Sequence, residues 1–293
     1  MELVAYALVL LSAFTHAYWN FILKRSGGTH VFIGLSKVVE AVLFLIPFIY
    51  FITKDEIAIL NYWLFYVIGA LLVLLNYVFL GQAYNSGGDL SLVYPISRAG
   101  MLLFLLPLAY LIIGKEIDSV GFIAILLIIA GLVCVQLPAF NFKEFAAVVL
   151  TLKSSAALLA LLAALTAACY TLWDKYSIKY LTPFIYICAY TSLIAVSYAL
   201  FIFIKYPFEA IKNEWTNLRH SIVQVGFFNT FTYLLVLYSL QTGKASYVIA
   251  LRQLSIVFGV ILGWKLLRED LTFPKKIGTF ILLAGCLLIS LAH

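Results

Sequence analysis

Two arginines and a short list of polar side chains stand where an apolar chain can least tolerate them. Arg98 lies inside Leu90–Ile113, LSLVYPISRAGMLLFLLPLAYLII, and Arg252 inside Ala245–Leu267. A guanidinium near the centre of a bilayer costs from about 2.5 to above 10 kcal/mol, so each must meet protein, water or a guest. Its planar fork matches a carboxylate or a phosphate, which makes an anionic guest the chemical reading. Tyr94, Pro95 and Ser91 accompany Arg98 and give that run the look of a binding wall. A purely structural reading stands beside it, in which each arginine bonds helix carbonyls and fixes packing.

Other polar residues fall at helical spacing. Ser12, Thr15, His16, Trp19 and Asn20 sit at i, i+3, i+4, i+7 and i+8, a continuous stripe that has no reason to face lipid. Lys37 and Glu40, three residues apart, share one face and can neutralise each other. Glu40 is also a candidate relay carboxylate, paired with Lys37 or Arg98 until a substrate or a proton displaces it, and Lys37 a candidate substrate contact. Tyr84, Tyr170, Trp173 and Asp174 complete the candidates, with Asp174 a second proton-carrying group. Tyr77, Tyr190, Tyr233 and Tyr238 extend a possible aromatic route for an organic solute, although aromatics also gather at interfaces.

The elements that must carry these residues are membrane helices. The 293 residues are 65% hydrophobic and 11% charged, far from the roughly one quarter charged of soluble domains. Ten apolar runs of spanning length are predicted: Val4–Leu23, Val31–Ile52, Tyr62–Tyr84, Leu90–Ile113 and Val120–Leu137, then Ala156–Trp173, Pro183–Ile204, Ile222–Leu240, Ala245–Leu267 and Ile277–Ala292. The first lacks a basic leader and is expected to stay as a span. Pro95, Gly100 and Pro107 predict interruptions in the fourth run, and Gly259 and Gly263 in the ninth; the latter pair also permits a homodimer contact. The two longer connections, Pro138–Ser155 and Lys205–Ser221, are expected along the membrane surface.

Sliding the chain over itself by 154 positions superposes the stripe Ser12, Thr15, His16, Trp19, Asn20 on Thr166, Cys169, Tyr170, Trp173, Asp174. The same offset carries Tyr84 onto Tyr238, Arg98 onto Arg252 and Ala130-Gly131 onto Ala284-Gly285. Five spans separate each residue from its counterpart, so the halves must cross the bilayer in opposite senses, as in alternating-access transporters. The expected fold is all-α and integral to the membrane, with ten transmembrane helices as two inverted five-helix repeats. Residues 1–137 form the first repeat, 138–155 the connection and 156–293 the second.

Several functions are excluded or disfavoured. The net charge of +6 belongs with loops and anionic headgroups rather than with nucleic acid. Four cysteines within apolar runs suggest neither disulfides nor a zinc site. The absence of GxxxxGK[ST], HExxH and GxSxG predicts no ATP-driven step, no cofactor and no enzyme of those types. Lysine and arginine gather in the loops after the odd-numbered runs, which alone would put both termini outside.

The motifs YPISRAG (Tyr94–Gly100), GKEID (Gly114–Asp118) and IIAGLVCVQL (Ile128–Leu137), with RED (Arg268–Asp270) and LLAGCLLISL (Leu282–Leu291) in the second half, resemble the drug/metabolite transporter superfamily in its ten-helix EamA-type branch. The resemblance implies a multi-pass protein of a prokaryotic inner membrane, a central cavity lined chiefly by helices 1, 3, 4, 6, 8 and 9, and both termini in the cytoplasm, against the loop charges. The function expected is a secondary active transporter, an exporter or exchanger, of a small polar organic metabolite bearing a carboxylate or phosphate, with proton coupling through Glu40 or Asp174. The alternative is a flippase or scramblase of lipid or lipid-linked headgroups.

Overall fold

The computed structural model describes residues 3–53, 61–86, 90–114, 118–137, 139–141, 154–268 and 270–291, and these are helical apart from short turns. The helices are α1 (Leu3–Arg25), α2 (His30–Ile52), α3 (Trp63–Asn85), α4 (Leu90–Ile113), α5 (Ser119–Gln136), α6 (Ser155–Ser177), α7 (Pro183–Lys205), α8 (Phe208–Thr242), α9 (Ala245–Arg252), α10 (Leu254–Leu267) and α11 (Phe273–Ser290). Counting α9 and α10 as one span, nine among the described residues are long and apolar enough to cross a membrane. The described apolar part of α4, Ile96–Ile112, is a shorter tenth. The expected all-α, ten-span membrane fold is thereby met. Polar residues start the helices as their types dictate: Thr29, Asp118, Ser154 and Thr182 each accept a backbone N–H from the first turn. The connection at 138 and 142–153 lies outside the described residues, as do Lys115–Ile117 and Glu269 of the GKEID and RED motifs.

The halves pack by one plan. α1 lies against α8 as α6 lies against α3, and α1 against the α9–α10 span as α6 against α4; α2 pairs with α7 and α5 with α11. The α5–α11 crossing shows why the offset of 154 matters. A Cβ on Gly131 would meet Leu282 and Gly278, while one on Gly285 would meet Ile128 and Ala124, the same positions exchanged between halves. As the α5 partners step from Ile128 through Gly131 to Val135, those on α11 step back from Gly285 through Leu282 to Gly278. The two helices run antiparallel, and the contact is self-complementary in the way a two-fold axis requires. Turns repeat too: Gly114, at φ 96°, has as its counterpart Arg268, at φ 55°.

Three local expectations are corrected. The segment Lys205–Ser221 is not a separate connection between spans: from Pro207 onward no proline or glycine intervenes before Gly226, and α8 runs from Phe208 for 35 residues, about 52 Å against a hydrocarbon core of about 30 Å. In the ninth span the irregularity is at Gln253 and not at Gly259 or Gly263. The Gln253 amide donates to Ala250 O at 3.1 Å, one residue short of the α-helical partner, and the Gln253 side chain takes up Ile249 O at 3.2 Å. The fourth span runs unbroken through Pro95, Gly100 and Pro107. Proline withholds one donor without ending a helix held by its neighbours. Gly100 serves contact, its built Cβ lying 3.0 Å from Ala164 Cβ.

Candidate functional site

The spans surround a central cavity of about 530 Å³. Of the site residues predicted from sequence, His16, Trp19 and Asn20 of α1, Lys37 and Glu40 of α2, Tyr84 of α3, Arg98 of α4, Tyr170 of α6 and Arg252 of α9 line it. Tyr94 lies on α4, and its side chain is outside the described residues. Beyond the helices implied by the resemblance, α2 and α7 also contribute walls, the latter through Tyr190 and Tyr198. The lining from α1 and α2 comes from the end and the beginning of those helices, so the cavity lies toward the face that carries the α1–α2 turn.

Charges on the walls are unequal. Lys37 and Glu40 form a buried ion pair, Nζ to Oε2 2.9 Å. Glu40 can sit there because Gly226 lets α8 close on α2: a Cβ at Gly226 would lie 2.7 Å from Ser36 O and 3.2 Å from the Glu40 amide. With that pair matched, Arg98 and Arg252 supply the remaining formal charge of the described lining, one from each half. Arg252 rests over the ring of Tyr233, 5.2 Å from its centroid, and its Nη2 lies 3.3 Å from His16 Nδ1. A guanidinium only donates, so Nδ1 must accept, which fixes His16 as the neutral tautomer protonated on Nε2. His16 meets the Trp19 ring edge to face at 5.0 Å. Among the described residues the Arg252 Nε, Trp19 Nε1 and Thr230 Oγ1 atoms have no hydrogen-bond partner, and all three residues belong to the cavity wall.

The repeat does not make the halves equivalent. Asn20 donates to His16 O of its own helix at 2.7 Å and lines the cavity. Its counterpart Asp174 is not among the lining residues; it is buried, accepting from Tyr186 Oη at 2.6 Å on Oδ1 and from Tyr233 Oη on Oδ2. Trp173, expected beside the substrate, is also outside the lining. Its indole N–H donates to Phe65 O at 2.8 Å, and its ring stacks on Phe65. Trp173 therefore closes α6 onto α3. Tyr238, the counterpart of Tyr84, is outside the lining as well.

Sequence reasoning passed over Asn76, Asn229 and Thr230, all of which line the cavity. Asn76 joins α3 to α6, donating to Ala163 O at 2.6 Å and reaching Thr166 Oγ1 at 3.4 Å. Each is a polar residue within an apolar span, the signal that did single out Lys37 and Glu40.

Ten spans, related by the two-fold α5–α11 contact, surround a cavity lined by residues of both halves. Residues 154–291 match the EamA-like transporter family, the family that the sequence motifs resemble. A crystal structure of another protein shares the fold, with a TM-score of 0.76 over 99% of this chain and 98% of the other at 13% identity. No curated protein matches the sequence.

Proposed function

We propose that the protein is a secondary transporter that carries a small organic anion, a carboxylate or a phosphate, through alternating access of the central cavity. The observation that carries this reading is the convergence of Arg98 and Arg252, one from each half, on one cavity. A guanidinium fork in a water-poor site binds such groups by two parallel hydrogen bonds. Tyr77, Tyr84, Tyr170, Tyr190, Tyr198 and Tyr233 line the same cavity, with the Tyr233 ring under Arg252, which suits a planar guest. A volume of about 530 Å³ is within the range of small-molecule sites. The antiparallel repeat supplies two related conformations, each with access from one face.

Thermal stabilisation of the purified protein by a panel of carboxylates, organic phosphates and neutral analogues, followed by uptake into proteoliposomes, tests the reading. Acids are expected to stabilise and to be transported while their neutral amides do not. Arg252→Ala and Arg98→Ala are each expected to weaken binding by 30-fold or more, roughly the 2 kcal/mol of a charge-assisted contact. Retention of wild-type affinity by both variants refutes the anion site. Movement of labelled lipid without any movement of solute would point instead to a flippase.

A further inference from the structure

The two carboxylates buried among the spans have different partners. Glu40 holds Lys37 at 2.9 Å, so its charge is matched within its own helix. Asp174, 1% exposed in the last turn of α6, has no lysine or arginine within ion-pair distance among the described residues. Two tyrosine hydroxyls serve it instead, from Tyr186 in the first turn of α7 and Tyr233 in α8.

Tyr233 belongs to two groups of contacts. Its hydroxyl donates to Asp174, and its ring carries the Arg252 guanidinium within the cavity. Asp174 is thus one side chain removed from the cavity. Asp174 and Tyr186 flank the α6–α7 turn, which lies at the face opposite the α1–α2 turn, because five crossings separate the two turns. The groups facing Asp174 are Tyr186 and Tyr190 of α7, Tyr233 of α8, Arg252 of α9 and Tyr170 of its own helix. From α3, Gly69 abuts the Tyr186 hydroxyl, and from α4 the stretch Met101–Ile112 offers only Tyr110, which points outward. The counterpart in the first half is Asn20, which cannot take a proton at working pH.

We propose that Asp174 is the coupling-proton site of this transporter, linked to the anion site through Tyr233; the proposal rests on the anion-transport reading. As a carboxylate, Asp174 accepts from both tyrosines. A proton added to Oδ2 makes that oxygen a donor, so the Tyr233 hydroxyl must turn to accept it and direct its own hydrogen elsewhere. One proton is bound and later released, and no covalent bond changes. Protonation also removes a negative charge that acts on Arg252, leaving the guanidinium freer to hold an anion. Proton and anion therefore favour each other's binding by the same factor, and the two move in the same direction. Glu40 is unsuited to this task, since protonating it would strand Lys37 without its counter-ion.

Infrared difference spectra of the full chain in lipid, between about pH 5 and about pH 9, should show a protonated-carboxyl band that Asp174→Asn abolishes, Asp174→Glu restores and Tyr233→Phe shifts. Benzenesulfonate, an anion that does not itself titrate there, should bind wild type about tenfold more weakly at the high-pH end and bind Asp174→Asn equally at both. A band absent from wild type or untouched by Asp174→Asn overturns the proton site. A band that depends on Asp174 alongside pH-independent benzenesulfonate binding overturns the link to Arg252. Failure of benzenesulfonate to bind wild type at any pH refutes the anion reading instead, leaving the infrared result to decide the proton site alone.

Discussion

Gly131→Ala tests the two-fold contact between α5 and α11 at its tightest point. The added Cβ would lie 2.6 Å from Leu282 N, 2.8 Å from Gly278 O and 2.8 Å from Leu282 Cβ. Two of these are backbone atoms of a packed helix, which cannot rotate aside, so the helices must separate by several tenths of an ångström. Overpacking of this kind costs about 1–3 kcal/mol, and alanine returns up to about 1 kcal/mol through its better helix propensity, for a net loss of about 1–2 kcal/mol. Gly285→Ala, meeting Ile128 Cγ1 at 2.8 Å and Ala124 O at 2.9 Å, should lose a similar amount because it is the same contact seen from the other half. The double variant should lose less than the sum, since one separation of α5 from α11 relieves both clashes. Gly259→Ala is the control: nothing lies within 4 Å of its Cβ, and it should be neutral or slightly stabilising. Reversible denaturant unfolding in lipid–detergent micelles measures all four. Losses at Gly131 and Gly285 no larger than at Gly259, or strict additivity of the pair, would refute the symmetric crossing.

The buried pair in α2 should respond asymmetrically. Lys37→Met leaves the Glu40 carboxylate without a counter-ion and should cost about 3–5 kcal/mol, whereas Lys37→Met with Glu40→Leu should recover most of that loss in the same unfolding assay. Asp118→Ala should cost about 1–2 kcal/mol by removing the cap on Gly121 N at 2.7 Å together with the Tyr247 hydroxyl bond at 2.9 Å, while Asp118→Asn should keep most of the stability.

The membrane spans were legible in the sequence because spanning about 30 Å of hydrocarbon demands long apolar runs whatever the tertiary fold. The repeat was legible because Arg98 and Arg252, Gly131 and Gly285, and the two polar stripes keep one offset. The antiparallel sense of the halves followed from counting crossings, and the α5–α11 contact obeys it. The charged residues of the cavity wall, Lys37, Glu40, Arg98 and Arg252, were found by asking which polar groups an apolar helix cannot show to lipid. That question places a residue away from lipid without saying what it meets. Trp19 and Trp173 answer to the same pattern, yet one lines the cavity and the other bonds Phe65.

Local order set the types and spacing of the polar groups; partners distant in sequence set their roles. Sequence by itself determined that this is a ten-span, internally repeated membrane protein with cations it must compensate. Only the tertiary structure decided that Lys37 is matched by Glu40, that Gln253 rather than a glycine interrupts the ninth span, and that α8 runs on as one helix. It also decided that Asp174 is held by Tyr186 and Tyr233 behind the cavity wall. The physical reason is range: a helix face is fixed by residues three and four apart, whereas a buried charge takes its character from helices folded against it.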